Sequence, residues 1–326
     1  MDFRTKIDIP QSGLQISHKS RMLMFGSCFI ENIGQLLIDN KFKANLNPFG
    51  VLYNPQSISQ ALQLLINEQP FSADDIFEYR GLYHSFFHHS SFSHSDEGKC
   101  LEQINHRRKQ ASNDLRQADI LFITFGTAYV FRNKESEKVV GNCHKLPANY
   151  FDRYRLNIED IVEDWSSLLK QLKEINPSLQ VVFTVSPIRH LKDGAHDNQL
   201  SKSVLLLAID ELCKSDQSLH YFPSYEIVLD ELRDYRFYNE DMVHPNSVAV
   251  RYIWERLAET YMHNETHLII DEWRKIFSAL NHRPLNIESE EYKLFLRQTL
   301  LKLKAFDDKY PYICCEEEIS DIENRI

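Results

Sequence analysis

Apolar runs closed by glycine or a polar turn alternate with stretches of helical periodicity through the first two-thirds of the chain. Met22, Leu23, Met24 and Phe25 form the first run, which stops at Gly26-Ser27; Ile30, Ile33, Leu36 and Leu37 then recur at helical spacing. Residues 42–46 predict a second short strand ending at Asn47-Pro48-Phe49-Gly50, after which Asn54-Pro55 opens a helix with Ile58, Leu62, Leu65 and Ile66 on its buried stripe. Residues 101–117 read as helix and 118–125 as the clearest strand, ending at Gly126-Thr127. A helix over 158–175, a strand over 180–185, a helix over 199–213 and a strand over 219–222 follow. Pro245 is expected to begin one more helix, with Val248, Tyr252, Leu257 and Ala258 buried. Strand and helix in alternation imply an α/β fold: a three-layer α/β/α sandwich around a five-stranded, mostly parallel sheet joined by right-handed crossovers.

Two stretches break this rhythm. Residues 68–100, rich in Phe, Ser and Tyr with His84, His88, His89 and His94 close together, predict a polar-aromatic loop beside a cleft. Residues 139–147, with Asn142, Cys143 and His144 adjacent, read as another loop near the same edge. Neither has the ligand spacing of a metal site, so none is expected. Residues 1–20 read as an extended lead-in, and 263–326 become charge-dense and helical. The expected division is an α/β domain over 1–262 and a helical extension over 263–326, packed on the core or on a second copy in a homo-oligomer.

Chemistry gathers at the strand ends, where ligands of such sheets bind. Ser27 stands where a strand turns into a helix, so unpaired N–H groups and the positive end of the helix dipole face any oxyanion formed beside it. The same position suits a simple helix cap, and the residues leave both readings open. Downstream, Asp241 precedes His244 by three residues in one loop. A carboxylate so placed sets the imidazole tautomer and stabilises the imidazolium, which makes a usable base. Cys28 reads as a packing residue.

Composition narrows the partners. A net charge of −10 argues against a nucleic acid held through its phosphates, and no GxGxxG or GxxxxGK[ST] loop points to a nucleotide or another cofactor. The six cysteines form no CxxC pair or regular framework, and no apolar run reaches the ~20 residues of a membrane span. With no secretory signal at the N-terminus, the expectation is a cytoplasmic protein that touches no membrane.

The motifs Phe25-Gly26-Ser27-Cys28-Phe29, Asn47-Pro48-Phe49-Gly50, Phe125-Gly126-Thr127, Asn142-Cys143-His144-Lys145, Ser186-Pro187-Ile188-Arg189-His190 and Asp241-Met242-Val243-His244-Pro245 together resemble the bacterial GSCFA family, itself similar to SGNH (GDSL-like) hydrolases. The resemblance implies a flavodoxin-like, SGNH hydrolase-like fold with Ser27 as nucleophile, His244 as base and Asp241 as its orienting acid. Gly50 would add its N–H to that of Ser27 in an oxyanion hole. The third motif departs from the SGNH pattern: Gly126-Thr127-Ala128-Tyr129 stands where Gly-x-Asn-Asp is expected, so the asparagine donor is missing at Ala128. Asn142 or the Thr127 hydroxyl would have to replace it. The implied activity is serine-dependent hydrolysis of a small or saccharide O-acyl ester, without metal or cofactor. Arg189 and His190 suit either a substrate anion or an ion pair at the sheet edge. An O-acyltransferase for a saccharide acceptor, or a binding module that keeps the cleft without turnover, are the alternatives.

Overall fold

The computed structural model describes residues 4–10 and 13–326; residues 1–3 and 11–12 of the expected extended lead-in lie outside the described residues. The central sheet holds β1 (Arg21–Gly26), β2 (Lys43–Leu46), β5 (Ile120–Phe125), β9 (Gln180–Val185) and β10 (Leu219–Tyr221), in the order β10-β9-β5-β1-β2. Every pairing is parallel, with Met22 opposite Ile120 and Ala44 across β1, and Ile120 opposite Gln180 across β5. Counting only these strands the order is 2-1-3-4-5 from the other edge, the flavodoxin-like winding, whose direction reverses between β1 and β5.

Both faces of the sheet are covered, and side-chain alternation along each strand sorts residues between two cores. Leu23, Phe25, Leu121, Ile123, Val181 and Phe183 meet α2 (Pro55–Asn67), α3 (Glu97–Gln117), α4 (Ile158–Ile175) and α5 (Ala195–Ser215) on one face. Met22, Met24, Ile120, Phe122 and Val182 meet α1 (Cys28–Asp39) and α7 (Ser247–Tyr261) on the other. A short turn, α6 (Ser224–Glu226), follows β10.

The two irregular stretches contain more structure than the sequence suggests. Residues 68–100 fold a hairpin, β3 (Phe77–Tyr79) with β4 (Leu82–His84), and α3 starts earlier than expected because Asp96 caps it through the Lys99 N–H. After β5 the chain inserts an antiparallel sheet, β7-β6-β8, from β6 (Tyr129–Asn133), β7 (Val139–Val140) and β8 (Phe151–Arg155). The α7 start also needs correction. Pro245 pairs with Tyr238 in an isolated bridge, Asn246 caps the helix through the N–H groups of Val248 and Ala249, and Val248 is 61% exposed rather than buried.

The C-terminal helices α8 (Asn264–Leu280), α9 (Glu290–Lys309) and α10 (Glu316–Arg325) enclose a small core of their own around Trp273, Leu296, Leu303, Phe306 and Ile322. They dock on the end of α1: the Trp273 indole N–H donates to the Asp39 carbonyl at 2.7 Å, and Lys41 reaches the Cys314 carbonyl at 3.0 Å and Glu318 at 2.5 Å. Among the described residues no helix is long and apolar enough to cross a membrane, and all six cysteines are free thiols.

Candidate functional site

Ser27 stands just past the end of β1, at the point where the winding of the sheet reverses. Gly26 makes that exit possible. Its φ of +150° is one that side-chain-bearing residues rarely adopt, and a Cβ there would lie 2.6 Å from the Thr124 carbonyl oxygen on β5. Asn47 pins the same turn from β2, its Oδ1 accepting the Gly26 N–H at 2.9 Å. Ser27 is extended and caps α1, its Oγ accepting the Phe29 N–H at 3.3 Å. The hydroxyl is buried, and it donates to the Ser186 Oγ at 3.0 Å. The Ser27 N–H lies at the end of the β1–β5 ladder, where Gly26 pairs with Thr124.

Asp241 and His244 form a closed unit on the loop that leads into α7. One Asp241 oxygen accepts the backbone N–H groups of Val243 and His244, each at 2.9 Å, and the other stands 2.6 Å from the His244 Nδ1. Those two N–H donors, with the imidazole after them, pull the Asp241 carboxyl down to about 2. Met242 takes a left-handed φ of +58° to let the loop close, and Asn239 donates its N–H to the His244 carbonyl at 2.8 Å. Both side chains remain about half exposed, and the His244 Nε2 has no hydrogen-bond partner among the described residues. No hydrogen bond joins Ser27 to His244; the serine's side-chain partner is Ser186.

The other expected site residues divide by whether their polar groups are free. The Gly50 N–H donates to the Asn47 carbonyl at 2.7 Å in a tight turn, so the donor expected for an oxyanion is already used. Gly50 is required there for another reason: its φ is +73°, and a side chain would collide with His89. The Gly126 and Thr127 N–H groups both go to the Tyr53 carbonyl, at 2.7 and 3.0 Å, and the Thr127 Oγ1 pairs with Ser201 at 3.1 Å. Thr127 is thus turned toward α5 and cannot stand in for the missing asparagine. Asn142 keeps a spare donor: its Oδ1 accepts the His144 N–H at 2.8 Å, leaving its Nδ2 without a partner among the described residues.

Arg189 has no carboxylate partner among the described residues; its guanidinium is 3.4 Å from the Tyr238 hydroxyl and faces that ring. It lines a cleft of about 390 Å³ with Gln199, Arg233, Tyr235 and Tyr238. His190 packs edge-on to Tyr53, and its buried Nε2 makes no hydrogen bond. Burial, with Lys202 next and Arg153 and His244 adding to it, lowers its pKa to about 4, so the ring is a neutral imidazole at physiological pH. Cys28 is also neutral, burial and Glu31 raising its pKa. The clustered histidines are packing residues: His88 stacks on Phe49, and His84 and His144 lean against one another. Among the described residues no group of three or more His, Cys, Asp or Glu could hold a metal ion.

Two residues here stand outside the expected site: Ser186, although it opens one of the six motifs, and Lys202. Ser186 is the first residue of an exit loop, and Lys202 lies between two serines in a helix. Yet Lys202 is fully enclosed, its ammonium donating to the carbonyls of Gly126 at 2.7 Å and Ser186 at 2.6 Å. Only the path of α5 beneath the ends of β5 and β9 brings them together.

Among solved structures, a family 3 carbohydrate esterase from Clostridium thermocellum aligns over 79% of this chain and 98% of its own, at 9% identity and a TM-score of 0.34. An acetyl xylan esterase, Est2A, from Butyrivibrio proteoclasticus aligns over 78% and 64% respectively, at 11% identity and a TM-score of 0.39. No curated protein matches the sequence. The C-terminal domain of GSCFA domain proteins matches residues 273–326, and the GSCFA family itself matches residues 21–257. That span takes in every strand of the central sheet together with Ser27, Asp241 and His244, and the chain therefore belongs to the GSCFA family.

Proposed function

We propose that the protein is a serine-dependent ester hydrolase that removes a small acyl group from an alcohol, with an O-acylated saccharide as the substrate class. His244 takes the Ser27 proton on its bare Nε2, Asp241 stabilises the imidazolium, and the Ser27 oxygen attacks the ester carbonyl. In this reading the oxyanion that forms takes the Ser27 N–H and the Asn142 amide as its donors. Collapse expels the alcohol, which takes its proton from His244, and water releases the acyl group by the same steps in reverse. Attack begins with the Ser27 hydroxyl turning from Ser186 toward the imidazole, an adjustment in keeping with the looseness of catalytic hydrogen bonds before substrate arrives.

The single observation that carries this reading is the Asp241–His244 pair, held at 2.6 Å with the far ring nitrogen unbonded. The bland alternative, in which Ser27 only caps α1, accounts for the Phe29 contact but not for the carboxylate-oriented imidazole. A fluorophosphonate with intact-mass readout tests the reading. Wild type is expected to take one adduct, Ser27→Ala none, and His244→Ala to react about 10²- to 10⁴-fold more slowly. Equal labelling of Ser27→Ala would falsify it. Release of a chromogenic acetate in the presence and absence of added sugars then separates hydrolysis from transfer to a saccharide hydroxyl, and labelling without turnover marks a binding module.

A further inference from the structure

The geometry points to Ser186 as a second hydroxyl of the catalytic apparatus, one that donates to the Ser27 oxygen as its proton leaves, and to Lys202 as the residue that positions it. This rests on the reading of Ser27 as nucleophile. At rest Ser27 donates and Ser186 accepts, at 3.0 Å. Ser186 also accepts the Ile188 N–H at 3.3 Å, while its own hydrogen has no acceptor among the described residues. Once His244 holds the Ser27 proton, the Ser27 oxygen can only accept. The spare Ser186 hydrogen then swings onto it through one hydroxyl rotation. One proton has moved, from Ser27 to His244, and Ser186 keeps its own throughout.

A serine at the end of a neighbouring strand serves this purpose only if that strand end cannot drift, and Lys202 is placed to prevent drift. Its ammonium ties the exit carbonyl of β5 at Gly126 to that of β9 at Ser186, and the Tyr225 ring lies 5.6 Å away. No carboxylate pairs with it among the described residues, so an amine is enclosed against a considerable desolvation cost. Burial draws its pKa down to about 7. A helix that merely needed to pack on this sheet would carry leucine or methionine here. The position instead favours a donor that can reach two carbonyls at once, next to the residue that touches the nucleophile.

Two isosteric variants isolate the hydroxyl: Ser186→Thr keeps it and Ser186→Val does not, while both add comparable bulk. The experiment reads the rate of phosphonate adduct formation, and kcat and KM for 4-nitrophenyl acetate where turnover is measurable. Ser186→Val is expected to lose about 10- to 100-fold in adduct rate and kcat with KM unchanged, as for the loss of a hydrogen bond to a charged group, and Ser186→Thr to stay within about threefold of wild type. Lys202→Met is expected to melt no lower than wild type, because an unpaired buried charge is removed, yet to react about tenfold more slowly or worse. Wild-type rates in Ser186→Val overturn the assignment of Ser186, and wild-type rates in Lys202→Met overturn that of Lys202. Should Lys202→Met not fold, the threonine and valine pair still decides the role of the hydroxyl. Labelling that survives Ser27→Ala would sink the underlying reading as well, which keeps the two failures distinct.

Discussion

At the scale of single residues, Asp241 is half exposed and yet has a specific task. Two backbone donors and the imidazole hold its carboxylate ionised down to a pH of about 2, so it stays charged wherever the protein is folded and working. Asp241→Asn would keep the shape of the loop but present the His244 Nδ1 with an amide, which can stabilise the wrong ring tautomer and cannot neutralise an imidazolium. The expected result is a fall in kcat of about 10²- to 10⁴-fold with KM little changed, measured on a chromogenic acetate. A fall below tenfold would mean that the carboxylate only closes the loop. Its imidazole contact was open to inference from a three-residue spacing, but its two backbone hydrogen bonds depend on the turn at Met242, which the spacing does not show. Gly50 shows the opposite case. Its motif marks a tight turn correctly, but sequence cannot say that the turn closes on its own N–H and removes it from the site.

Among elements, β1, β5 and β9 were legible because each is a short apolar run, buried on both faces, between stretches of helical period, while the edge strands β2 and β10 are only partly buried. The insertion of β6, β7 and β8 was not. These strands are half solvated and polar in places, and β7 is only two residues long, so tertiary pairing and not local pattern creates them. The start of α7 was misread for a related reason: proline suits a first helical turn, but the bridge between Tyr238 and Pro245 holds it outside, and Asn246 takes the cap. The C-terminal helices announce themselves by period, yet their docking rests on contacts that no period encodes. Trp273 is the principal one, buried between α8 and α9 while its indole N–H satisfies an orphan carbonyl at the end of α1. Trp273→Ala is expected to lower unfolding stability by about 3–5 kcal/mol in urea titrations and to loosen α8 to α10 before the central sheet. Hydrogen exchange that loosens both regions together would show instead that the extension and the sheet unfold as one unit.

For the whole molecule, the buried titratable groups set a window of stability that can be worked out in sign. Burial lowers His18, His144 and His190 to about 4 and His88 to about 3, against 6.5 in an unfolded chain. Between those limits the unfolded state binds protons that the native state refuses, so stability falls as pH drops from about 7 toward 4. Lys202 acts in the same direction higher up: lowered from 10.5 to about 7, it gives up its proton in the folded protein at a pH where an unfolded lysine still holds one, and stability therefore gains as pH rises across that range. The thiols oppose it. Burial raises Cys143 and Cys213 to about 11 and Cys315 to about 12, so above 9 the unfolded chain sheds protons that the native state retains, and stability declines. The melting temperature is thus expected to climb from pH 4, to be highest between about pH 7 and 9, and to drop beyond. His88 offers the sharpest test, since it is enclosed between Phe49, Phe71 and Phe92 and takes no part in the proposed chemistry. Replacing it, as in His88→Phe, should reduce by one proton the slope of unfolding free energy against pH between 4 and 6.5 while leaving the alkaline limb unchanged. An acid limb of undiminished slope in that variant would mean that His88 carries its proton in the folded protein, and that its aromatic cage has a hydrogen-bond acceptor where the structure shows only the Ser85 hydroxyl.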